Sequence, residues 1–357
     1  MKLSFFDFFA GQFRETVPPV LDVDLTGKTI VVTGANSGIG YEAAKHFARM
    51  NGRVILACRS KEKGERALAQ IKEDTGRSNV HLRLLDLSKF SSVIEFADQF
   101  AKEEDRLDIL VANAAISTDK YRTTTEAGRK RKYNPSNRDP VLTHTHCSLQ
   151  VNCLSTLLLC VLLIPSLLKT AERFGTEPRL TIVGSEVHYW TKLERKVIGS
   201  EDPLRTFSSK EYCTKLVMLR RYLDSKLIAL FIARRLAESL KDTPIVTNIV
   251  NPGYCLSELQ RDAGFLQRIF GMIMNLLIAR TGEEGARQLV WAAVSEDKGD
   301  LRGAYVSAMA VQEPSDWSLS EEGLTAEDKL WKGMVWELSK VEPRVINILS
   351  EKTSSID

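Results

Sequence analysis

No apolar run in this chain reaches the roughly 20 residues that crossing a bilayer requires. The best candidate, Leu154 to Leu168, spans 15 residues and contains Pro165, so it reads as a buried core helix. A secretory leader is lacking as well, because the Phe-rich start (Phe5, Phe6, Phe8, Phe9, Phe13) is followed by neither a long apolar run nor a cleavage site. Cysteine is sparse: six residues (58, 147, 153, 160, 213 and 255) show no paired spacing, which excludes a disulfide scaffold and fits a reducing compartment. Charge of one sign is not in excess. Forty-nine basic and 46 acidic residues are intermixed for a net +3, leaving no nucleic-acid footprint. His144 and His146 stand two apart with no cysteine or acid cluster around them, so no metal site is expected.

Against those absences stands a clear strand–turn–helix signal. Thr29-Ile-Val-Val-Thr33 is a short β-branched run suited to a buried parallel strand. The turn Gly34-Ala-Asn36-Ser37-Gly38-Ile39-Gly40 follows, and Glu42 to Met50 reads as a helix with Ala43, Ala44, Phe47 and Ala48 inward. Glycines let backbone approach a pyrophosphate, and a helix N-terminus offers free N–H groups and positive dipole. Strands and helices alternate from residue 29 to about 306, which argues for one sheet. The division is an arm (1–26), a core (27–306) and an extension (307–357).

A second signal is Tyr222-Leu-Asp-Ser-Lys226, a phenol and an ammonium one helical turn apart. A fixed positive charge lowers a phenol's pKa and makes it usable for proton transfer near neutrality. Tyr41 and Lys45 have the same spacing, but they abut the glycine turn instead of lying far downstream of it.

The glycine spacing resembles that of the short-chain dehydrogenase/reductase family, and further motifs match in order from about Gly27 to Trp291. Asp86-Leu87 ends the third strand, where the family meets adenine. Leu110 to Ala115 stands in place of the family's NNAG, keeping Asn113 but departing at Ala112 and Ala115. Val151-Asn152 opens the next helix, Leu180 to Ser185 is the fifth strand, and Asn251-Pro252-Gly253 follows the sixth, Ile245 to Val250. The resemblance implies an α/β, doubly wound Rossmann fold with a central, mostly seven-stranded parallel sheet flanked by helices. It implies Ser185, Tyr222, Lys226 and Asn152 as the catalytic set. Tyr222 would donate a proton, Ser185 hold the substrate oxygen, Lys226 lower the phenol pKa and bond the nicotinamide ribose, and Asn152 hold a water. Gly34, Asn36, Ser37, Gly38, Ile39, Gly40, Arg59, Asp86, Leu87, Asn113, Pro252 and Gly253 would join Tyr222 and Lys226 at the cofactor. Where the family's NAD users carry an acid after the second strand (Arg53 to Ala57), this chain has Cys58 and then Arg59, which favours NADP(H).

The substrate expectation is a hydrophobic alcohol, ketone or aldehyde, handled in the cytoplasm. The long Ser185–Tyr222 gap, Ser-x-x-His at 185–188 and Cys255-Leu-Ser-Glu-Leu259 resemble both retinol-dehydrogenase-like enzymes and fungal secondary-metabolite reductases, and the Phe-rich arm followed by Gly27-Lys28-Thr29 looks closer to the latter. The rival from another class is a non-catalytic NADP-binding interaction protein. His188, Tyr189 and Trp190 form either a pocket wall or a surface loop. A lid is expected at about 254–282, where Phe270 to Ile278 is apolar and Met-rich. The arm either packs on the body or touches a lipid surface. Pairing of the long helices near 149–172 and 208–240 would give a homodimer. Arg129 to Ser148 is an insertion carrying Arg129-Lys-Arg-Lys132, read as a solvated loop or a translated intron.

Overall fold

A computed structural model describes residues 17–20, 23–118, 121–122, 124, 146–256, 279–296 and 301–350. The Phe-rich arm, most of the insertion and most of the lid therefore lie outside the described residues. Eight strands form one sheet: β1 (Thr29–Thr33), β2 (Arg53–Cys58), β3 (Val80–Leu84), β4 (Ile109–Ala112), β5 (Arg179–Val183), β6 (Val246–Asn251), β7 (Tyr305–Ser307) and β8 (Ala310–Gln312). Their spatial order is β3-β2-β1-β4-β5-β6-β7-β8. The first seven are parallel. β8 joins as an antiparallel edge through a hairpin, so the extension lengthens the sheet by one strand beyond the seven expected.

Alternation along each strand explains the two-sided core. Val31, Ile55, Leu110, Leu180 and Ile249 point into one layer, while Ile30, Val32, Val54, Leu56, Val111 and Val250 point into the other. Helices α1 (Gly38–Arg49) and α2 (Lys61–Thr75) cover the second face, joined by α6 (Gly282–Val294). The first face is covered by α3 (Phe90–Glu103), α4 (Cys147–Phe174) and α5 (Lys215–Ser239). Beyond them lie α7 (Glu321–Val341) and α8 (Arg344–Ser350), from the extension.

α4 is long and apolar enough to cross a membrane by length and composition, but its most apolar stretch is 83% buried inside the fold. That makes it a core helix. Leu157 through Ile164 are eight consecutive residues with no more than 6% exposure, so the helix is enclosed on all sides. α8 packs on α4 and α7 on α5, which is how the extension completes that enclosure. The helix also starts earlier than the sequence suggests. It opens at Cys147, capped by the His146 ring nitrogen accepting from Ser148 N–H (3.2 Å), and Asn152 sits inside it in a π-helical turn, Gln150–Leu154.

The topology carries a switch point between β1 and β4, whose following connections leave to opposite faces. In open α/β sheets the crevice beyond the strand C-termini at that point is where ligands bind.

Candidate active site at the sheet's C-terminal edge

The glycine turn leaves β1 at this crevice. Gly34 and Gly38 adopt left-handed backbone (φ 69° and 59°), which glycine tolerates without strain. Gly40 is needed for space: a Cβ there would sit 2.4 Å from Asn113 Nδ2 and 2.8 Å from the Gly34 carbonyl oxygen. Ser37 is the N-cap of α1 yet makes no side-chain cap, and no acid occupies the first turn. The exposed first-turn N–H groups and the positive helix end thus form a cradle that fits a pyrophosphate. Asn36 lies in the same turn and donates to Ser37 Oγ (3.4 Å). Ile39 packs against the core under α6.

Asn113 is committed to holding this turn. Its side chain donates to the Thr33 carbonyl (2.9 Å), and the N–H groups of Asn113 and Ala114 both donate to Thr33 Oγ1 (3.0 and 2.9 Å). Thr33 thus anchors the turn, a role that its place immediately before Gly34 signals. At the adenine end, Asp86 accepts from Ser88 N–H and Oγ–H (3.0 and 2.7 Å), and Leu87 is buried. Cys58 is buried and its thiol is pushed up to about 12, while Arg59 next to it is exposed at the end of β2. No carboxylate faces the crevice from position 58, so the residues present fit a dinucleotide carrying a 2′-phosphate.

Lys226 links the α5 candidates to the end of β5. Lys226, 4% exposed, donates from Nζ to the Val183 carbonyl (2.7 Å), two residues before Ser185. Its Nζ also lies 5.7 Å from the Tyr222 ring centroid. Ser185 follows β5 on extended backbone and begins a 3-10 turn, Glu186–Trp190. Asn152 accepts from Ile116 N–H (2.9 Å) and donates to the Ile116 carbonyl (2.9 Å) and to Ser225 Oγ (3.0 Å). Both amide hydrogens are therefore engaged, and the side chain fastens α4 to α5 and to the loop that follows β4. After β6, Asn251 accepts from Glu186 N–H and Gly253 N–H (both 3.1 Å), while Pro252 O accepts from Gln288 (3.0 Å) and the Cys255 thiol (3.3 Å). Gly253 takes the left-handed backbone (φ 79°) that this turn requires.

One expectation fails in sign. Burial raises the Tyr222 phenol well above its ordinary range, with the Cys255 thiol adding in the same direction, and Lys226 does not offset it. Burial likewise lowers Lys226 to about 8. The reason is geometric: the ammonium is turned to Val183. The rejected pair behaves as expected, since Lys45 is taken up by Glu42 (2.9 Å) and Asp74 (3.5 Å) between α1 and α2. His188 is no pocket wall. It is 1% exposed, enclosed by the rings of Tyr189 and Tyr305 (4.2 and 4.8 Å between centroids).

Comparison with known proteins agrees with this geometry. The pattern of the short chain dehydrogenase family matches residues 28–175. "Short chain dehydrogenase/reductase dmxR8" of Cryptosporiopsis sp. is 34% identical over 325 residues, covering 90% of this chain and 93% of that protein. "Retinol dehydrogenase 12" of Mus musculus is 33% identical over 300 residues, covering 84% and 82%. Among solved structures, the "RhlG/NADP active-site complex" of Pseudomonas aeruginosa superposes with a TM-score of 0.56 at 20% identity, over 80% of this chain and 95% of that one, a likeness of fold. With the glycine cradle, the Ser185–Tyr222–Lys226 edge and relatives matched along nearly their whole length, the chain belongs to the short-chain dehydrogenase/reductase family of oxidoreductases.

Proposed function

We propose that the protein interconverts a ketone or aldehyde and an alcohol on a hydrophobic small molecule, using NADP(H). The observation that carries this reading is the bond from Lys226 Nζ to the Val183 carbonyl (2.7 Å), which ties the helix bearing Tyr222 to the end of β5, two residues before Ser185. When bound, the nicotinamide would supply or accept the hydride. The residues do the rest. Burial keeps the Tyr222 hydroxyl protonated at neutral pH, which loads it as the acid for carbonyl reduction. Ser185 Oγ receives a long contact from Val187 N–H (3.4 Å), leaving its own hydrogen free to donate to the substrate oxygen as charge develops there. Lys226 holds the edge of the site through Val183 and would bond the nicotinamide ribose.

A biosynthetic role in secondary metabolism rests on the sequence resemblance given above; the similarity to the Cryptosporiopsis protein supports a short-chain dehydrogenase/reductase without naming its substrate. The likeness to retinol dehydrogenase 12 supports a second reading, a lipid alcohol at a membrane surface. The presence of Ser185, Tyr222 and Lys226 together in the chain speaks against a non-catalytic role. Six free cysteines support a cytoplasmic setting.

The cofactor test is a titration of purified protein with NADPH and NADH. Removing the Arg59 guanidinium (Arg59→Ala) should weaken NADPH binding about tenfold, roughly one charge-assisted contact, and leave NADH unchanged. Equal loss for both would refute the 2′-phosphate assignment. The enclosed helix bears on the homodimer expected from helix pairing. Because α4 is coated by its own chain, we expect a monomer at micromolar concentration, read by light scattering on a sizing column. A dimer that dissociates when an α4 residue is altered would contradict that.

A further inference from the structure

We propose that His188 is a positioning residue for Ser185, and that residues 313–315 of the C-terminal extension are thereby part of the active-site scaffold. This rests on the reading of Ser185 given above.

The sheet does not aim Ser185. β5 ends at Val183, so Ser185 stands two residues beyond the ladder on unstrained extended backbone (φ −173°, ψ 148°). What fixes it is the turn that follows. The Ser185 carbonyl accepts from His188 Nδ1 (2.7 Å), and the opposite ring nitrogen, Nε2, accepts from Ser315 N–H (3.3 Å). A carbonyl on one side and an N–H on the other select a single neutral tautomer, with its proton on Nδ1. Burial agrees, lowering this imidazole to about 4.

Neighbouring contacts show that the turn is a clamp. The Tyr189 hydroxyl donates to the Glu313 carbonyl, so two successive residues grip the same stretch of the extension. The Tyr305 ring closes edge-on over His188. Glu186 N–H is held by Asn251. At the far end Thr191 donates to Asp224 (2.5 Å), two residues from both Tyr222 and Lys226. The one turn therefore spaces Ser185 from the helix that carries the other two catalytic groups. An extension that merely covered the core would not need to reach residue 188.

Position, not bulk, is the role assigned, so the test separates the two nitrogens. Asparagine can place an amide donor where Nδ1 lies and restore the bond to Ser185; glutamine reaches toward Ser315 and cannot. With benzil and all-trans-retinal as apolar probes, His188→Gln is expected to lower kcat about ten- to a hundredfold with NADPH affinity unchanged, the scale of loss that slight misplacement causes. His188→Asn is expected to recover most of it. A glutamine variant of normal kcat, or an asparagine variant as slow as glutamine, overturns the proposal. Should the glutamine variant fail to fold, Tyr189→Phe keeps the packing and removes only the tether to Glu313; it should lower kcat several-fold, and an unchanged kcat overturns the proposal. A measurement free of substrate is the 15N spectrum of the five histidines. A resonance that disappears in His188→Asn must show the neutral form protonated at Nδ1 at pH 6, and its absence is equally fatal. If Tyr222→Phe retains turnover, the enzymatic reading fails first. If Tyr222→Phe is inactive while the His188 variants are normal, only this inference fails.

Discussion

Tyr222→Phe should lower kcat by about 10²- to 10⁴-fold, the contribution typical of a positioned proton donor, while leaving NADPH affinity intact. Phenylalanine keeps the ring that packs beneath Lys226 Nζ and removes only the hydroxyl. The surrounding residues are already satisfied without that hydroxyl: Lys226 bonds Val183, Ser225 bonds the Tyr222 carbonyl, and Asn152 bonds Ser225. The fold and the cofactor cradle should therefore be indifferent to the change. Stopped-flow oxidation of NADPH against apolar ketones measures it. Turnover that persists within a fewfold of the wild type would remove Tyr222 from the mechanism.

Lys226→Met should abolish turnover and, at neutral pH, make the cofactor-free protein more stable. A lysine lowered from 10.5 to about 8 binds fewer protons in the folded than in the unfolded state between those values. Stability therefore rises with pH across that window, and the full burden of charging the buried amine is present below about pH 8. The shift corresponds to about 3 kcal/mol. Methionine removes that burden but leaves the Val183 carbonyl without its donor, which costs about 1 kcal/mol. The net expectation is a gain of about 2 kcal/mol at pH 7 that disappears as the pH approaches 10.5. Urea midpoints of both proteins at pH 7 and pH 10 test it. A variant less stable at pH 7, or an advantage that grows with pH, contradicts the assigned environment of Lys226.

Much of this site was legible because its signals are local. β1, the glycine turn and α1 are contiguous, and β-branched residues followed by Gly34, Gly38 and Gly40 have few other physical uses. The strand ends were readable to within three residues for the same reason: the third and fourth strands stop at Leu84 and Ala112 instead of Leu87 and Ala115, and Ser185, Asn113 and Gly253 each lie just past a strand end. What stayed hidden depends on distant contacts. The π-helical turn at Gln150–Leu154 follows from Asn152 reaching Ile116 and Ser225, neither of which the sequence places beside it. Four-residue spacing put Lys226 near Tyr222, but it could not show the ammonium turned to Val183, and so the direction of the phenol shift came out reversed. The C-terminal extension looked like an appendage because its amphipathic helices do not name their partner. Only packing shows α8 on α4 and Ser315 on His188. The described end of the arm packs on the body, with Leu25 buried and the Val17 carbonyl accepting from Arg287 (2.9 Å); residues 1–16, 129–145 and Phe270 to Ile278 lie outside the described residues, so their roles stand as expectations.

The central claim is spatial, and a crystal structure of the NADP⁺ complex tests it most directly. The account requires the hydroxyls of Ser185 and Tyr222 to share one hydrogen-bonding point above nicotinamide C4, with Lys226 Nζ released from Val183 to the ribose. A nicotinamide seated elsewhere, or a Tyr222 hydroxyl directed away from the crevice, would contradict it.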